Sequence, residues 1–266
     1  MFDFHLHSRV SFDSTAAPMD MVRAAERVGL SEMCFTDHYD YNTDPKIAPN
    51  LFTVEQYGRE YDDLTSDSVL IRRGVEFGMT TWNRAELDWL IAHRCFDFVI
   101  GSVHFVDGYD PYEAEYWKGK TVREAFEKYL EQTLECVKIH DQFDVLGHLN
   151  YVCKSAHNPT HEALRYEDFS DLCDEIMKNV IAKGKGMEIN TSGVDRVGDF
   201  LPSAAFLKRY RELGGEIVTL GSDAHTPDRV GQYAAEAMEL LDAIFGYVCT
   251  FENRKPIFHK IGKTKN

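Results

Sequence analysis

The stretch Phe2-Asp3-Phe4-His5-Leu6-His7 decides how the whole chain is read. It is a short apolar run of strand character that ends in two histidines spaced i, i+2. Side chains alternate across a strand, so His5 and His7 face one side and can reach one ion. The signature recurs six times. Strand-like runs at Glu32–Thr36, Val69–Phe77, Phe96–Val103, Asp144–Leu149, Met187–Asn190 and Ile217–Leu220 each carry or lead into a ligand-type side chain. In chain order these are Asp37 with His38, Glu76, His104, His148, Glu188 with Asn190, and Asp223 with His225. Imidazole combined with carboxylate suits zinc, manganese or iron rather than calcium.

Helical patterns fill the intervals. Met19–Val28 sets Met21, Val22, Ala25 and Val28 on one face and stops at Gly29. Thr53 with Gln56 resembles a capping box, and Trp82–Arg94 is a further helix candidate. The clearest helix is Thr121–His140. Thr121 and Glu124 form a capping box there, and Val122, Phe126, Leu130, Leu134 and Val137 step by three and four. Tyr166–Lys183, Ser203–Leu213 and Tyr233–Phe245 complete the series.

Strand followed by helix about seven times implies parallel β-α units. Periodicity leaves two closures, an open doubly wound sheet and a barrel. A barrel brings every C-terminal strand end to one mouth, whereas an open sheet spreads them along an edge. The convergence of ligand types favours the barrel, a single α/β domain over residues 1–266.

Taken singly, these signals are weak. An isolated H-x-H or D-x-H is more often structural, Glu76 can be an ordinary ion-paired glutamate, and His104 or His148 can be a satisfied core histidine. Their coincidence carries the metal reading, because buried polar groups without partners are costly. The other histidines (His93, His140, His157, His161 and His259) fall on helices or loops and are expected to be solvated.

Composition narrows the partners. The 266 residues include 29 basic and 44 acidic side chains, a formal net charge of −15. Such a surface disfavours long nucleic acid or an anionic membrane, but not a small anionic substrate at a local positive site. The six cysteines are scattered without a C-x-x-C pair, as expected of reduced thiols. The N-terminus lacks a basic and then apolar leader, and no run of about 18 apolar residues exists, so a cytoplasmic protein is expected. No cysteine-phosphatase loop, P-loop or G-x-S-x-G elbow is present, which leaves a multinuclear metal site as the source of a nucleophile. Oligomeric state is not legible.

At this point the chain resembles the polymerase-and-histidinol-phosphatase (PHP) superfamily of metal-dependent phosphoesterases. The matching elements are His5-Leu6-His7-Ser8 with Asp13, Phe35-Thr36-Asp37-His38, Gly74-Val75-Glu76, Gly101-Ser102-Val103-His104, Gly147-His148 and Gly221-Ser222-Asp223-Ala224-His225. Ser102–Gly108, Phe143–His148 and Glu188–Gly193 are similar to monofunctional histidinol-phosphatases in particular. The resemblance implies a distorted seven-stranded TIM-like barrel with up to three divalent ions (zinc, manganese or iron) at its mouth. It implies that His5, His7, Glu76 and Asp223 hold the first ion. Glu76 would bridge to a second, held also by His104 and His148, and Asp13, His38 and His225 would hold the third. Glu76 and Asp223 are the catalytic candidates.

The implied reaction is hydrolysis of a phosphate monoester, L-histidinol phosphate in histidine biosynthesis. Arg196 resembles a phosphate-binding arginine of the family. Lys154 stands where relatives often place an arginine, and Arg9 is a third candidate. An imidazole-bearing substrate favours acidic and aromatic contacts, which Glu115, Tyr112 and Trp117 can supply. The alternatives are a PHP phosphoesterase acting on another small phosphate ester or nucleotide, an amidohydrolase-type hydrolase, and a non-catalytic metal-binding domain. The amidohydrolase type usually needs a bridging lysine, which no strand end here provides.

Overall fold

The computed structural model describes residues 1–41 and 50–262. The apolar runs become β1 (Phe2–Leu6), β2 (Glu32–Phe35), β3 (His38–Asp40), β4 (Leu70–Gly78), β5 (Phe98–Ser102), β6 (Val145–Leu146), β7 (Gly186–Asn190) and β8 (Val218–Gly221). They pair in parallel in the order β1-β2-β4-β5-β6-β7-β8, with β3 beside β4. A parallel bridge from Leu6 to Ala224 joins the two ends, and Asp223 donates its N–H to the His5 carbonyl at 2.9 Å. Seven parallel strands thus nearly close a barrel.

Helices α1 (Pro18–Val28), α2 (Val54–Tyr61), α3 (Arg84–His93), α4 (Ala114–Trp117), α5 (Val122–Ile139), α6 (Ser170–Ala182), α7 (Val194–Val197), α8 (Ala204–Glu212) and α9 (Ala234–Ile244) lie between and after the strands. The Thr121–Glu124 capping box of α5 is present in both directions, and α5 buries Phe126, Leu130, Leu134 and Val137. In α1, Ala24 joins the buried face while Val28 is exposed, because the helix ends at left-handed Gly29. Alternate strand residues such as Phe35, Val75, Phe77, Val99 and Ile189 pack outward with these helices in one large core. A separate small cluster of Phe4, Cys34, Phe98, Ile100, Val145 and Phe251 fills the lower interior.

Three features depart from the sequence expectation. First, the ladder between β1 and β2 slips, with Asp3 and Leu6 opposite Met33 and Phe35, so β1 carries one extra residue. As a result Phe4 joins the inner cluster while the next residue, His5, also faces the interior. Second, the second strand does not end at His38. β3 keeps the register of β2 along β4, setting His38 opposite Glu76 and Asp40 opposite Gly78. Third, a hairpin of β9 (Tyr247–Glu252) and β10 (Lys255–Lys260) follows α9. Phe251 plugs the inner cluster, while Asn253 and Arg254 donate backbone N–H groups to Asp97, closing the N-terminal end of the barrel.

Candidate active site

At the opposite end, a cavity of about 520 Å³ opens over the strand termini. Glu76, fully buried on β4, lies behind the lining residues His38, His104 and His148. Its Oε1 lies 2.8 Å from His148 Nε2 and 3.2 Å from His104 Nε2, and accepts the Ser102 hydroxyl at 2.6 Å. Its Oε2 faces His38 Nδ1 at 3.0 Å, His5 Nε2 at 3.1 Å and His7 Nε2 at 3.5 Å. Five imidazoles therefore converge on one carboxylate. Asp223 adds a second, with Oδ1 3.3 Å from His7 Nε2 and 3.7 Å from His5 Nε2. Asp13 adds a third, 3.0 Å from His225 Nε2 and 3.5 Å from His38 Nε2. The structure thus places all nine sequence-selected ligand candidates around one centre.

Four groups of three can each hold an ion: His5, His7 and Asp223; His5, Glu76 and His148; His7, His38 and His225; and His38, Asp40 and His104. The last includes Asp40, which sequence reasoning missed. Asp40 lies 3.0 Å from His104 Nδ1 and 3.3 Å from His38 Nδ1. Its i, i+2 spacing from His38 was the available signal, hidden by the early end assigned to the strand.

These donors fit divalent metal. His5 Nε2, His7 Nε2, His38 Nδ1, His225 Nε2 and Glu76 Oε2 are buried without a hydrogen-bond partner yet point at one another. Such an orphaned set is costly unless a cation satisfies it. The tautomers agree. His7 Nδ1 lies 3.0 Å from Ser11 Oγ, His225 Nδ1 2.9 Å from the Asp223 carbonyl, and His104 Nδ1 3.0 Å from Asp40. Each contact leaves Nε2 to face the centre.

The electrostatics describe a site that attracts positive charge. Burial alone would raise Glu76, but His5, His104 and His38 hold it well below the usual carboxylate range. Burial works against charging His5, yet Glu188, Glu76 and Asp223 overcome it and raise its pKa. Burial also opposes charging His104, which Asp40 and Glu76 push up to about 10. His7 goes the other way, lowered by burial and by neighbouring His225 and His38. Burial would raise Asp223, but Lys154 and His5 hold it well below the usual carboxylate range. It sits at φ 57°, a left-handed conformation that aspartate tolerates better than most residues. Protons and metal ions compete for such groups.

Around the rim, Lys154 donates to Asp223 Oδ2 at 2.8 Å and to Ser192 Oγ at 2.9 Å. Arg196 is exposed and lines the cavity. Arg9 is not among the lining residues. It pairs with Glu60 on α2 at 2.8 Å, because the strand ends at Leu6 and the chain turns away. Of the aromatic and acidic trio, only Tyr112 lines the cavity. Glu115 pairs with Lys118, and Trp117 is buried with its indole N–H on the Pro111 carbonyl. Asp110 and Glu113 are the lining carboxylates of that loop. His140 is also buried rather than solvated, with Nε2 2.8 Å from the Thr80 carbonyl. Two other clefts, beside Tyr41 and Trp89 and beside Ser66 and Arg73, hold no cluster of three metal-ligating side chains among the described residues.

Residues 3–192 match the PHP domain family, and the chain belongs to it. It is 32% identical over 258 residues to a protein of Clostridium acetobutylicum named probable histidinol-phosphatase, covering 97% of this chain and 96% of that one. It is 31% identical over 259 residues to the histidinol-phosphatase of Lactococcus lactis, covering 95% of each. The crystal structure of a histidinol phosphate phosphatase from Lactococcus lactis, complexed with zinc, L-histidinol and phosphate, superposes with a TM-score of 0.85 at 28% identity, covering 96% and 98% of the two chains. A structure from Listeria monocytogenes shares the fold with a TM-score of 0.74 at 16% identity. Among the described residues no helix is long and apolar enough to cross a membrane.

Proposed function

We propose that the protein is a metal-dependent phosphomonoesterase that hydrolyses L-histidinol phosphate to histidinol and phosphate. The observation that carries this reading is the focus of five imidazoles on the two oxygens of Glu76, in a cavity whose rim holds Lys154 and Arg196. Relatives covering nearly the whole chain carry the histidinol-phosphatase name, which supports the substrate.

His5, His7, Glu76 and Asp223 would hold one ion, His104 and His148 with Glu76 a second, and Asp13, His38 and His225 a third. Zinc, manganese and iron all suit this donor set. Bound there, such ions lower the pKa of water and offset charge on phosphoryl oxygens. The side chains of the chain itself bind and orient. Lys154, fixed by Asp223 and Ser192, presents a point charge to a phosphoryl oxygen, and the fork of Arg196 suits a second oxygen. Asp110 and Glu113 with Tyr112 give an acidic and aromatic wall for a cationic, imidazole-bearing leaving group.

A small phosphorylated ligand is the partner, and the −15 charge argues against long nucleic acid or a membrane surface. The test is kcat/KM for histidinol phosphate against a panel of phosphomonoesters and nucleotides, with zinc or manganese added. A clear preference for histidinol phosphate is expected. Equal rates across the panel would overturn the substrate, and no turnover with any metal would overturn the enzyme.

A further inference from the structure

We propose that Glu188 is a positioning residue that sets metal affinity by fixing His5 and His148 together. This rests on the metal-site reading above. Glu188 projects from β7 beneath the cavity and is 1% exposed. Its Oε1 lies 2.6 Å from His5 Nδ1. Its Oε2 accepts the His148 backbone N–H at 2.8 Å and the Asn190 amide at 3.2 Å. A carboxylate at that distance keeps the proton of His5 on Nδ1, which leaves the Nε2 lone pair facing Glu76 and Asp223. The same carboxylate anchors the strand end that delivers His148, so two ligands from opposite sides of the barrel share one brace.

The fold keeps room for this brace. A Cβ on Gly221 would come within 2.4 Å of Glu188 Oε1 and 2.3 Å of the His5 Cβ. A Cβ on Gly147 would meet the Ser102 hydroxyl at 2.4 Å, with Glu188 Oε2 3.6 Å away. At Gly221 the flanking strand is thus bare where the carboxylate lies, whereas the clash at Gly147 is with Ser102 rather than with Glu188. Both oxygens are engaged by groups that carry or deliver ligands, which points to orientation of ligands rather than to packing.

The test compares Glu188→Gln and Asn190→Ala with the wild-type full chain. Zinc content is read after equilibration with chelators of graded strength, and urea stability is read on each protein freed of metal. In Glu188→Gln the zinc dissociation constant should rise roughly 10–100-fold, as for other groups behind metal-bound histidine, with metal-free stability no lower than wild type. Asn190→Ala, which keeps the carboxylate, should bind zinc far more like wild type. Wild-type zinc retention by Glu188→Gln, or a loss matched by an equal fall in metal-free stability, would overturn the proposal. Should Glu188→Gln not fold, the imidazole nitrogen resonances of zinc-loaded wild type decide instead. A His5 proton on Nδ1 is expected, and one on Nε2 would overturn the proposal. A wild-type chain that binds no zinc overturns the metal reading itself.

Discussion

At the N-terminal end of the barrel, Asp97 accepts backbone N–H groups from Arg73 and Asn253, and Asp144 accepts from Val99 and Arg254. Above them Phe4, Phe98, Ile100 and Phe251 pack without a polar atom out of place. At the mouth, by contrast, five imidazole nitrogens (on His5, His7, His38, His148 and His225) and a carboxylate oxygen of Glu76 are buried without partners. Both ends belong to the same strands. The difference teaches that polar burial at the bottom serves folding, whereas the same residue types at the top are arranged for something the chain must bind. Substitutions at the two ends should therefore separate stability from activity.

The largest effect belongs to the mouth. Glu76→Gln should lower kcat/KM by roughly 10³-fold or more, the several kcal/mol that metal-borne charge stabilisation supplies. The metal-free protein should unfold in urea no more easily than wild type. Survival of activity would remove the cavity as the active site. Phe251→Ala should do the reverse, costing about 3–5 kcal/mol of stability in urea while kcat/KM per folded molecule stays near wild type. A large activity loss there would show that the two ends are coupled. Smaller again, Arg196→Ala should cost about 1.5–3 kcal/mol of substrate binding, typical of hydrogen bonds to a charged group, seen mainly in KM.

The smallest effect tests a buried histidine outside both ends. Burial, reinforced by Arg84 and Lys183, lowers the pKa of His140. An unfolded histidine takes a proton near pH 6.5, so the unfolded state binds more protons below that value. Stability is thus fully present above it and falls as pH drops through it, by at most about 1.4 kcal/mol per pH unit. His140→Gln should flatten that slope relative to wild type when urea midpoints are compared near neutral and mildly acidic pH.

Most of the barrel was legible because each strand changes from apolar to ligand-type at its C-terminal end, a phase that alternation makes unambiguous. Where alternation failed, so did the reading. Asp40 was missed because the run of β2 is broken at Thr36 and Asp37, although β3 resumes the same register against β4. Arg9 stands just after the H-x-H pair, but the strand has already ended at Leu6 and Glu60 pairs with it. The β-bulge that turns Phe4 and His5 to one side has no local mark, since it arises from pairing with β2. The terminal hairpin did leave a trace. Tyr-Val-Cys-Thr-Phe precedes Asn253 and Arg254, whose φ values of 49° and 65° suit a tight hairpin turn.

The bridge between Leu6 and Ala224 also orders events in time. His5 and His7 are made more than two hundred residues before the strand end that completes their surroundings. At about 5–20 residues per second, the interval on the ribosome is roughly 10–40 s. Through that interval the two imidazoles have no Asp223 or His225 to meet. The groups that need Asp223 or His225 are therefore completed last, whereas His5, Glu76 and His148, and His38, Asp40 and His104, all lie before residue 150.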